Sequence, residues 1–296
     1  MKATLAERLG FRATDRIAVV HADDIGMCHA ANVGAFDALA NGVVSCGSIM
    51  VPCPWFREAA DLARANPQAD LGVHLTLNSE WPHYRWGPVA GRDRVPSLLD
   101  AQGYLPRTSI EVLKNAKPDE VEIELRAQIE AALAAGIDVT HLDSHMGTVF
   151  FPPFVPIYAK LAREYRLPAL AVRPDPKALE RAGLAGAAPI LQKVCDAFEA
   201  SGHPILDGLD ANSLDFRDSE GEAHTSGRLE GLGAGITYLI IHPAQDGEEL
   251  RAISPDAHAR AFEHRFYGSA KARERFAAEG IRTVGMRPLR DLLRAG

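Results

Sequence analysis

Residues 17–26 read Ile-Ala-Val-Val-His-Ala-Asp-Asp-Ile-Gly. The apolar, β-branched run Ile17–Val20 predicts a short buried strand that stops on two adjacent carboxylates, Asp23 and Asp24. Gly26 follows them and permits a tight turn. Carboxylates at the carboxyl end of a buried strand stand where α/β folds place their chemistry, although aspartate is also a good helix N-cap. Adjacent side chains on an extended segment point to opposite sides, so we expect the two carboxylates to have separate roles.

The composition is that of an ordinary globular protein. The chain has 296 residues, of which 47% are hydrophobic and 24% charged, a length that suits one large α/β barrel or two smaller domains. The net charge of −7 and the pI near 5.9 argue against a nucleic-acid or anionic-membrane partner. No stretch is long and apolar enough for a membrane span, and the amino terminus lacks a signal-peptide core. The four cysteines lack metal-site spacing and indicate reduced thiols, so we expect a soluble, cytoplasmic protein.

Apolar periodicity predicts strands that alternate with helices. Besides the first strand, we expect helices at 4–10, 30–40, 55–66, 118–135, 154–165 and 255–278, and strands at 43–51, 70–77, 137–142, 169–172, 237–241 and 283–286. The order of elements within 175–235 is left open. Alternating strands and helices indicate parallel βα units, and no linker or repeat divides the chain. We therefore predict one α/β barrel domain across residues 1–296.

Residues 78–106 are unlike the rest of the chain. They hold Trp81, Tyr84 and Trp86 together with Pro82, Pro88 and Pro96, and show little periodicity. A loop this long in a compact domain is usually a lid or a binding loop, so we expect a substrate loop here. Its aromatic faces could stack on sugar rings and Arg85 could hold an anionic or hydroxyl group. The alternative is that the aromatics pack onto the rim of the barrel.

Five of the predicted strands present polar side chains at or near their carboxyl ends. These side chains are Asp23 with Asp24, His74, Asp143 with His145, Arg173, and His242. The carboxyl ends of parallel strands collect on one face of a sheet or barrel, so these side chains should meet there. A single histidine at a strand end is more often structural, and the convergence of several strands is what indicates a site.

The residue types indicate a metal site with one open coordination position. Asp24, His74 and His145 would supply one carboxylate and two imidazoles to a single divalent ion, with zinc favoured over magnesium or another ion. Such an ion lowers the pKa of its bound water and polarises a carbonyl oxygen. His141 with His145 is an alternative ligand pair, but His141 lies inside the apolar strand segment and His145 at its exit is preferred.

The other strand-end groups then have natural roles. Asp23 would be the general base that takes a proton from the attacking water, and His242 the general acid that protonates the leaving group. Asp143 and Arg173 are candidates for fixing the orientation of the ligating imidazoles and the catalytic carboxylate, which need hydrogen-bond partners.

Three segments carry a resemblance to a known family. His-Ala-Asp-Asp-Ile-Gly (21–26), Gly-Val-His-Leu-Thr-Leu (72–77) and Thr-His-Leu-Asp-Ser-His (140–145) resemble, in order and spacing, the signature segments of the YdjC-like, or ChbG/HpnK, carbohydrate deacetylases. The resemblance runs from about residue 16 to 176 and resumes at 239–243. It implies a distorted or seven-stranded (β/α) barrel, related to polysaccharide deacetylases, and metal-dependent removal of N-linked acetyl groups from amino sugars.

The resemblance also implies residue roles. By similarity Asp24, His74 and His145 are the metal ligands, Asp23 is the catalytic base, and His242 stands where related deacetylases carry their acid. The chain departs from the pattern after the third segment, where relatives have further histidines and this chain has Met-Gly-Thr-Val (146–149). Those histidines line the substrate side of the site, which puts chitin disaccharides in doubt as the substrate.

We therefore expect a hydrolase that removes an acyl group, acetyl first, from an N-acetylated sugar or a similar amide. A metal-dependent hydrolase of an ester or phosphoester ranks lower, because few basic groups are available for a phosphate. A third interpretation is a degenerate member that binds a sugar or metal without turnover. The missing histidines after His145 favour it, and the retained Asp23 argues against it. Because symmetric dimers are common among soluble enzymes, we also expect a homodimer.

Overall fold

The computed structural model describes residues 3–175, 180 and 188–295. Within them, parallel strands form one seven-stranded sheet with the order β4-β3-β2-β1-β6-β5, and β7 pairs with the amino-terminal half of β1. The strands are β1 (Arg16–Ile25), β2 (Cys46–Ile49), β3 (Leu71–Leu75), β4 (Val139–Ser144), β5 (Gly208–Asp210), β6 (Gly235–Ile241) and β7 (Ile281–Thr283).

Helices occupy most connections between these strands, as the sequence predicts for βα units. They are α1 (Leu5–Arg8), α2 (His29–Asn41), α3 (Phe56–Ala65), α4 (Ser109–Asn115), α5 (Pro118–Ala134), α6 (Val155–Tyr165), α7 (Ala188–Ala200), α8 (Gly221–Glu230), α9 (Glu248–Ile253), α10 (Ala257–Tyr267), α11 (Ala270–Ala278) and α12 (Arg287–Ala295). Short 3₁₀ turns cover Pro96–Leu98 and His145–Phe150. None of the helices in the described part of the chain combines the length and apolarity needed to cross a membrane.

The sheet is curled into a half-barrel, which confirms the α/β class but not the complete barrel that the sequence predicts. Between the edge strands β4 and β5 the described chain makes only isolated bridges, Leu142 to Ala169 and Val172 to Leu206. The predicted strand at 169–172 is therefore wrong as a full strand. Prolines at 168 and 174 border this segment and cannot donate to a ladder, which explains why the pairing stops after single bridges.

Side chains on β1 alternate between two cores, because successive strand residues face opposite sides of a sheet. Ala18 and Val20 pack into the large core with the helices, whereas Ile17 and Val19 belong to a smaller inner cluster that includes Tyr238 of β6. His21 and Asp23 are the next positions on that inner face. The inner face is therefore apolar where the strands begin and polar where they end.

A β-bulge decides where the adjacent carboxylates point. Between Ala22 and Ile25 the pairing advances three residues on β1 for two on β2. Asp24 lies in this bulge with φ of +63°, the left-handed region that aspartate tolerates better than most residues. The strand consequently continues past Val20 to Ile25, and the expectation that Asp23 and Asp24 point to opposite sides is wrong.

Neither carboxylate caps the following helix, so the alternative structural role is also excluded. The N-cap of α2 is Cys28, which makes no side-chain capping bond. The helix predicted at 255–278 is two helices, because the backbone breaks after Tyr267 and the Ser269 hydroxyl caps the start of α11 by accepting from the Ala272 amide. The last strand ends at Thr283, and α12, which the sequence did not predict, follows it.

The predicted loop at 78–106 is irregular apart from its single 3₁₀ turn. Glu124 of α5 anchors this loop, because its carboxylate accepts hydrogen bonds from the backbone amides of Val89 and Ala90 at 3.0 and 2.8 Å. In the segment 175–235, which the sequence left unordered, residues 176–179 and 181–187 lie outside the described residues. The remainder supplies α7, β5 and α8.

Gly34 of α2 lets this helix touch the chain that leaves β6. A Cβ built at Gly34 would lie 2.6 Å from the Cα of Ala244, two residues after His242. Although alanine is the better helix former, we expect Gly34→Ala to lower the free energy of unfolding by about 1–3 kcal/mol through overpacking against backbone. Urea denaturation measures this change.

Gly227→Ala in α8 is the matched control, because a Cβ there meets nothing within 4 Å. This substitution should raise the free energy of unfolding by about 0.5–1 kcal/mol through helix propensity alone. Equal stabilisation by both substitutions would contradict the close packing of α2 on residue 244.

Candidate metal and active site

The carboxyl ends of β1, β3 and β4 bring Asp24, His74 and His145 together, and all three are buried. Asp24 Oδ1 lies 3.5 Å from His74 Nε2 and 3.3 Å from His145 Nδ1. Among the described residues this buried oxygen has no hydrogen-bond partner of acceptable geometry. A buried carboxylate oxygen left unpaired requires an explanation, and here two imidazole nitrogens face it. One carboxylate and two imidazoles are a donor set that a divalent cation accepts, so these residues fit a metal ion.

In each of these imidazoles, the ring nitrogen that faces away from Asp24 lies within hydrogen-bonding distance of another carboxylate. His74 Nδ1 lies 2.9 Å from Asp143 Oδ1 and 3.0 Å from the hydroxyl of Ser48. His145 Nε2 lies 3.0 Å from Glu80 Oε2. Such partners fix the ring and its tautomer, so the opposite nitrogen is presented to the site. The strand-end pattern predicts Asp143 for this role but not Glu80, which lies in the irregular loop at 78–106.

Arg260 of α10 occupies the other oxygen of Asp24. Its Nη1 donates to Asp24 Oδ2 at 2.7 Å, and its Nε donates to Asp256 at 2.8 Å. Burial opposes the charged form of Asp24, but the guanidinium and the imidazole of His145 outweigh it and hold the pKa of Asp24 well below its usual value. Asp24 therefore stays ionised with Oδ2 committed and Oδ1 open.

The carboxylates also act on the imidazoles. Burial would lower the pKa of His145, but Glu80 and Asp24 outweigh it and raise that pKa to about 10. Against burial, Asp143 and Asp23 raise the pKa of His74. Strong local negative charge of this kind also attracts a divalent cation, whose binding would displace the imidazole protons.

Asp23 and His242 face each other beside this group. Asp23 Oδ2 lies 3.8 Å from His242 Nε2 and the same distance from His74 Nε2. The other oxygen, Oδ1, lies 2.6 Å from His21 Nδ1. One carboxylate oxygen is therefore held inside the sheet, and the other is directed toward the candidate ligands.

His242 is oriented through a hydroxyl. Its Nδ1 lies 2.8 Å from Ser213 Oγ, and the Ser213 hydroxyl donates to the carboxylate of Glu263 at 2.8 Å. A hydroxyl has one proton, so His242 Nδ1 must be the donor to Ser213. Burial lowers the pKa of His242, and the charge of Asp24 only partly opposes this. Ser213 and Glu263 could not be predicted from the sequence, because neither follows a predicted strand.

The aromatic side chains of the loop pack against the site. Trp81 and Trp86 are buried, and the Trp86 indole donates to the carbonyl of Asn78 at 3.0 Å. The Trp86 ring lies 6.3 Å from the His145 ring in an edge-on arrangement. The Tyr84 hydroxyl donates to the carbonyl of Met27. These contacts favour the packing alternative over stacking on a sugar.

The guanidinium of Arg85 makes its hydrogen bonds within the same loop. It donates to Ser79 Oγ at 3.2 Å, to Asp100 at 2.8 Å and to the carbonyl of Leu105 at 2.7 Å. Arg173 is exposed and its guanidinium donates to Glu199 at 3.2 Å. The structure therefore does not bring either arginine side chain to the cluster around Asp24.

Two further residues complete the surroundings. His141, the alternative ligand, directs Nε2 at His21 Nε2 at 2.8 Å and belongs to a separate group. Met146 directly follows His145 with φ of +50°, and it is 56% exposed. Its sulfur lies 2.8 Å from the side-chain amide of Asn78.

The sequence is similar to one family model and to several known proteins. A family model described as YdjC-like protein matches residues 18–278. The chain is 37% identical over 252 residues to a carbohydrate deacetylase of Thermus thermophilus, covering 85% of this chain and 86% of the relative. It is 28% identical over 236 residues to a carbohydrate deacetylase of Thermoanaerobacter pseudethanolicus, covering 80% and 84%.

A solved structure supports the fold. The crystal structure of an Enterococcus faecalis V583 protein, proposed to cleave cellobiose phosphate, superposes with a TM-score of 0.75 at 24% identity, covering 93% of this chain and 99% of that one. The match of the family model over most of the chain, together with the full-length relatives, establishes that this protein belongs to the YdjC-like family.

Proposed function

We propose that this protein hydrolyses the N-acetyl group of an amino sugar with the help of a divalent metal ion. Relatives named carbohydrate deacetylase, which align with most of the chain, support the reaction class. The single observation that carries the proposal is the buried, unpaired Oδ1 of Asp24 facing the imidazoles of His74 and His145.

Asp24, His74 and His145 would hold the ion, with zinc favoured and magnesium or another divalent ion also compatible. Because Arg260 occupies Oδ2, Asp24 would contribute only Oδ1. When bound, such an ion makes a water more acidic and withdraws electrons from an amide carbonyl. Asp143 and Glu80 would keep the two imidazoles oriented while the substrate binds.

Asp23 would act as the general base. His21 holds its Oδ1, so Oδ2 is the oxygen available to take a proton from the attacking water. As this proton moves, the water oxygen bonds to the amide carbon. A carboxylate positioned in this way contributes through proton transfer and does not need to bind the ion itself.

His242 would act as the general acid. Its Nδ1 donates to Ser213, which leaves Nε2 to carry the proton for the departing amine when the C–N bond breaks. Burial lowers the pKa of His242, so the imidazolium is the minor form at neutral pH and releases its Nε2 proton readily. The products are the free amine and acetic acid, which releases its proton to solvent as acetate, and the proton gained by Asp23 balances the proton lost by His242.

The loop at 78–106 would form one wall for the sugar. Glu80 and Trp86 connect this loop to His145. Next to His145, the exposed side chain of Met146 offers an apolar contact at a position where the family resemblance leads us to expect a histidine. We therefore expect the preferred sugar to differ from that of relatives with a polar group at this position.

Metal content tests the ligand set. We expect the purified protein to carry about one divalent ion, the number that a single three-residue site holds. Asp24→Asn and His145→Ala should lose it, because each removes a charge or donor from the group. Asparagine is chosen because it also tolerates the left-handed backbone of residue 24. Elemental analysis measures the ion, and thermal unfolding with added zinc or magnesium measures its stabilisation.

His29→Ala is the control for this experiment, since His29 is an exposed histidine that pairs with Glu58 outside the site. It should retain the ion. A wild-type protein that neither contains nor is stabilised by zinc, magnesium, manganese, cobalt or nickel would refute the ligand set, as would full metal content in both site variants.

Acetate release from a panel of N-acetylated sugars tests the reaction. We expect Asp23→Asn to lower kcat by about 10²–10⁴-fold, the usual contribution of a general base, while metal content stays unchanged. O-acetylated sugars in the same panel distinguish amide from ester hydrolysis. Full activity of the metal-loaded Asp23→Asn protein would rule out the assigned base, and sugar binding without turnover would favour the non-catalytic interpretation.

A further inference from the structure

One face of α5 is polar although it is buried. Glu120, Glu124 and Gln128 are spaced four residues apart, so they form one row along the helix. All three are buried, and the apolar residue that follows each of them packs in the large core. Burying polar groups costs free energy unless they are hydrogen-bonded, so this polar row must have partners.

The carboxylate of Glu124 accepts three hydrogen bonds. The backbone amide of Ala90 donates to Oε2 at 2.8 Å, and that of Val89 donates to Oε1 at 3.0 Å. The side-chain amide of Gln128 also donates to Oε1, at 2.7 Å. All three partners are N–H groups, which donate and do not accept, so the position requires a side chain with two acceptor oxygens.

Gln128 continues the hydrogen bonding of the sheet past the end of β3. Its Oε1 accepts from the Thr76 amide at 2.9 Å, and its Nε2 donates to the Thr76 carbonyl at 2.7 Å. One side chain therefore pairs both main-chain groups of Thr76, as a residue on a neighbouring strand would. Glu120 accepts from the amide of Ser97 at 2.6 Å. The polar row therefore binds the main chain just before the loop at 78–106 and in its outer part.

The inner leg of this loop, residues 79–86, is joined to the returning chain by hydrogen bonds. The Ser79 amide donates to the carbonyl of Pro106 at 2.7 Å, and the Leu105 amide donates to the carbonyl of Trp86 at 3.1 Å. Within the leg, the Trp86 amide donates to Ser79 Oγ at 3.0 Å. Because these bonds connect its two ends, an anchor on the outer part of the loop also holds the inner leg in place.

The inner leg contacts groups that hold the candidate ligands. Glu80 Oε2 lies 3.0 Å from His145 Nε2. The guanidinium of Arg260 lies 5.9 Å from the centre of the Trp81 ring, within the range of a cation–π interaction, and the same guanidinium donates to Asp24. The position of the loop therefore affects the surroundings of two of the three candidate ligands.

We propose that Glu124, held by Gln128, is a positioning residue for the candidate metal site and acts on His145 through the loop and Glu80. This inference rests on the proposed function, in which His145 is a ligand. Residues 78–106 are irregular apart from one 3₁₀ turn, so their position depends on side-chain anchors of this kind. Coupling between two sites is reciprocal, so the bound ion also stabilises the anchored loop.

Limited trypsin digestion of the wild-type protein tests this coupling without any substitution. Arg94 is exposed in the outer part of the loop, and trypsin cleaves after it when the surrounding segment opens locally. We expect saturating zinc to slow this cleavage by about 3- to 30-fold, the usual range of coupling between distant groups. Glu80→Ala, also saturated with zinc, should lose the protection. Equal cleavage rates of the wild-type protein with and without bound zinc would overturn the proposal.

Glu124→Gln tests the anchor directly. Glutamine has the same size but turns an amide group toward one of the three donors, so a hydrogen bond is lost. Burial raises the pKa of Glu124 to about 7 against the hydrogen bonds from Gln128, Val89 and Ala90, so the comparison is made at alkaline pH, where the carboxylate is ionised. We expect cleavage after Arg94 to be about 10-fold faster and the zinc dissociation constant to rise about 3- to 30-fold.

Glu122→Gln is the matched control on the same helix. Glu122 is half-buried and pairs with Arg126 and Lys160 at 3.0 and 2.6 Å, away from the loop. Surface ion pairs contribute little, so the cleavage rate and the zinc affinity should remain those of the wild-type protein. Equal effects of the substitutions at 122 and 124 would overturn the proposal, because α5 would then act through helix stability alone.

A double variant tests whether Glu124 acts through Glu80. In the Glu80→Ala protein the loop no longer contacts the His145 ring through a carboxylate. Adding Glu124→Gln should then still speed trypsin cleavage but cause little further loss of zinc affinity. Additive losses of zinc affinity would overturn the assigned route, because an anchor that only supports the fold weakens the site whether or not Glu80 is present.

The two proposals give different results when they fail. A wild-type protein that binds no divalent ion would refute the ligand set of the proposed function, and the positioning role with it. A wild-type protein that binds zinc, with an affinity that Glu124→Gln leaves unchanged, would refute the positioning role alone. If Glu124→Gln does not fold, the protection of Arg94 by zinc in the wild-type protein decides.

Discussion

The bulge in β1 is the constraint on which the site depends. On a regular strand Asp23 and Asp24 would face opposite sides of the sheet, with one carboxylate among the apolar helices. The extra residue and the left-handed backbone of Asp24 turn both toward the inner cluster, where each reaches His74 within 3.8 Å. Two like charges this close need separate partners, and Arg260 and His21 supply one each.

A second bulge, in β4, gives the inner face its other pair of consecutive polar residues. Between Val139 and Leu142 the pairing advances three residues on β4 for two on β3, and the buried Thr140 and His141 contact each other, Oγ1 to Nδ1, at 2.9 Å. The interior of the curled sheet therefore changes from apolar to polar along its strands. Buried polar groups are tolerated there because almost all of them are paired, and Asp24 Oδ1 is an exception.

The carboxyl ends of parallel strands lie at one edge of a sheet. For this reason Asp24, His74 and His145 could be assigned to one site from the sequence alone. The same rule misplaced Arg173, since the segment before it makes isolated bridges and no ladder strand. Arg260 could not be found, because its partner lies 236 residues earlier and no local pattern links a helix residue to a strand so distant. No glycine or proline marks the bulge at Asp24, so the direction of its side chain could not be predicted either.

The position of β1 at the centre of the sheet has a consequence for folding. β1 is the first strand of the chain, yet it pairs with β6 and β7, which lie in the last quarter of the sequence. Its inner face cannot be covered until those strands have been synthesised. Pairings between segments so distant in sequence form slowly, because loop closure must precede them. We therefore expect β1 to gain its β6 and β7 neighbours late in synthesis, and the cluster of buried charges to leave water late in folding.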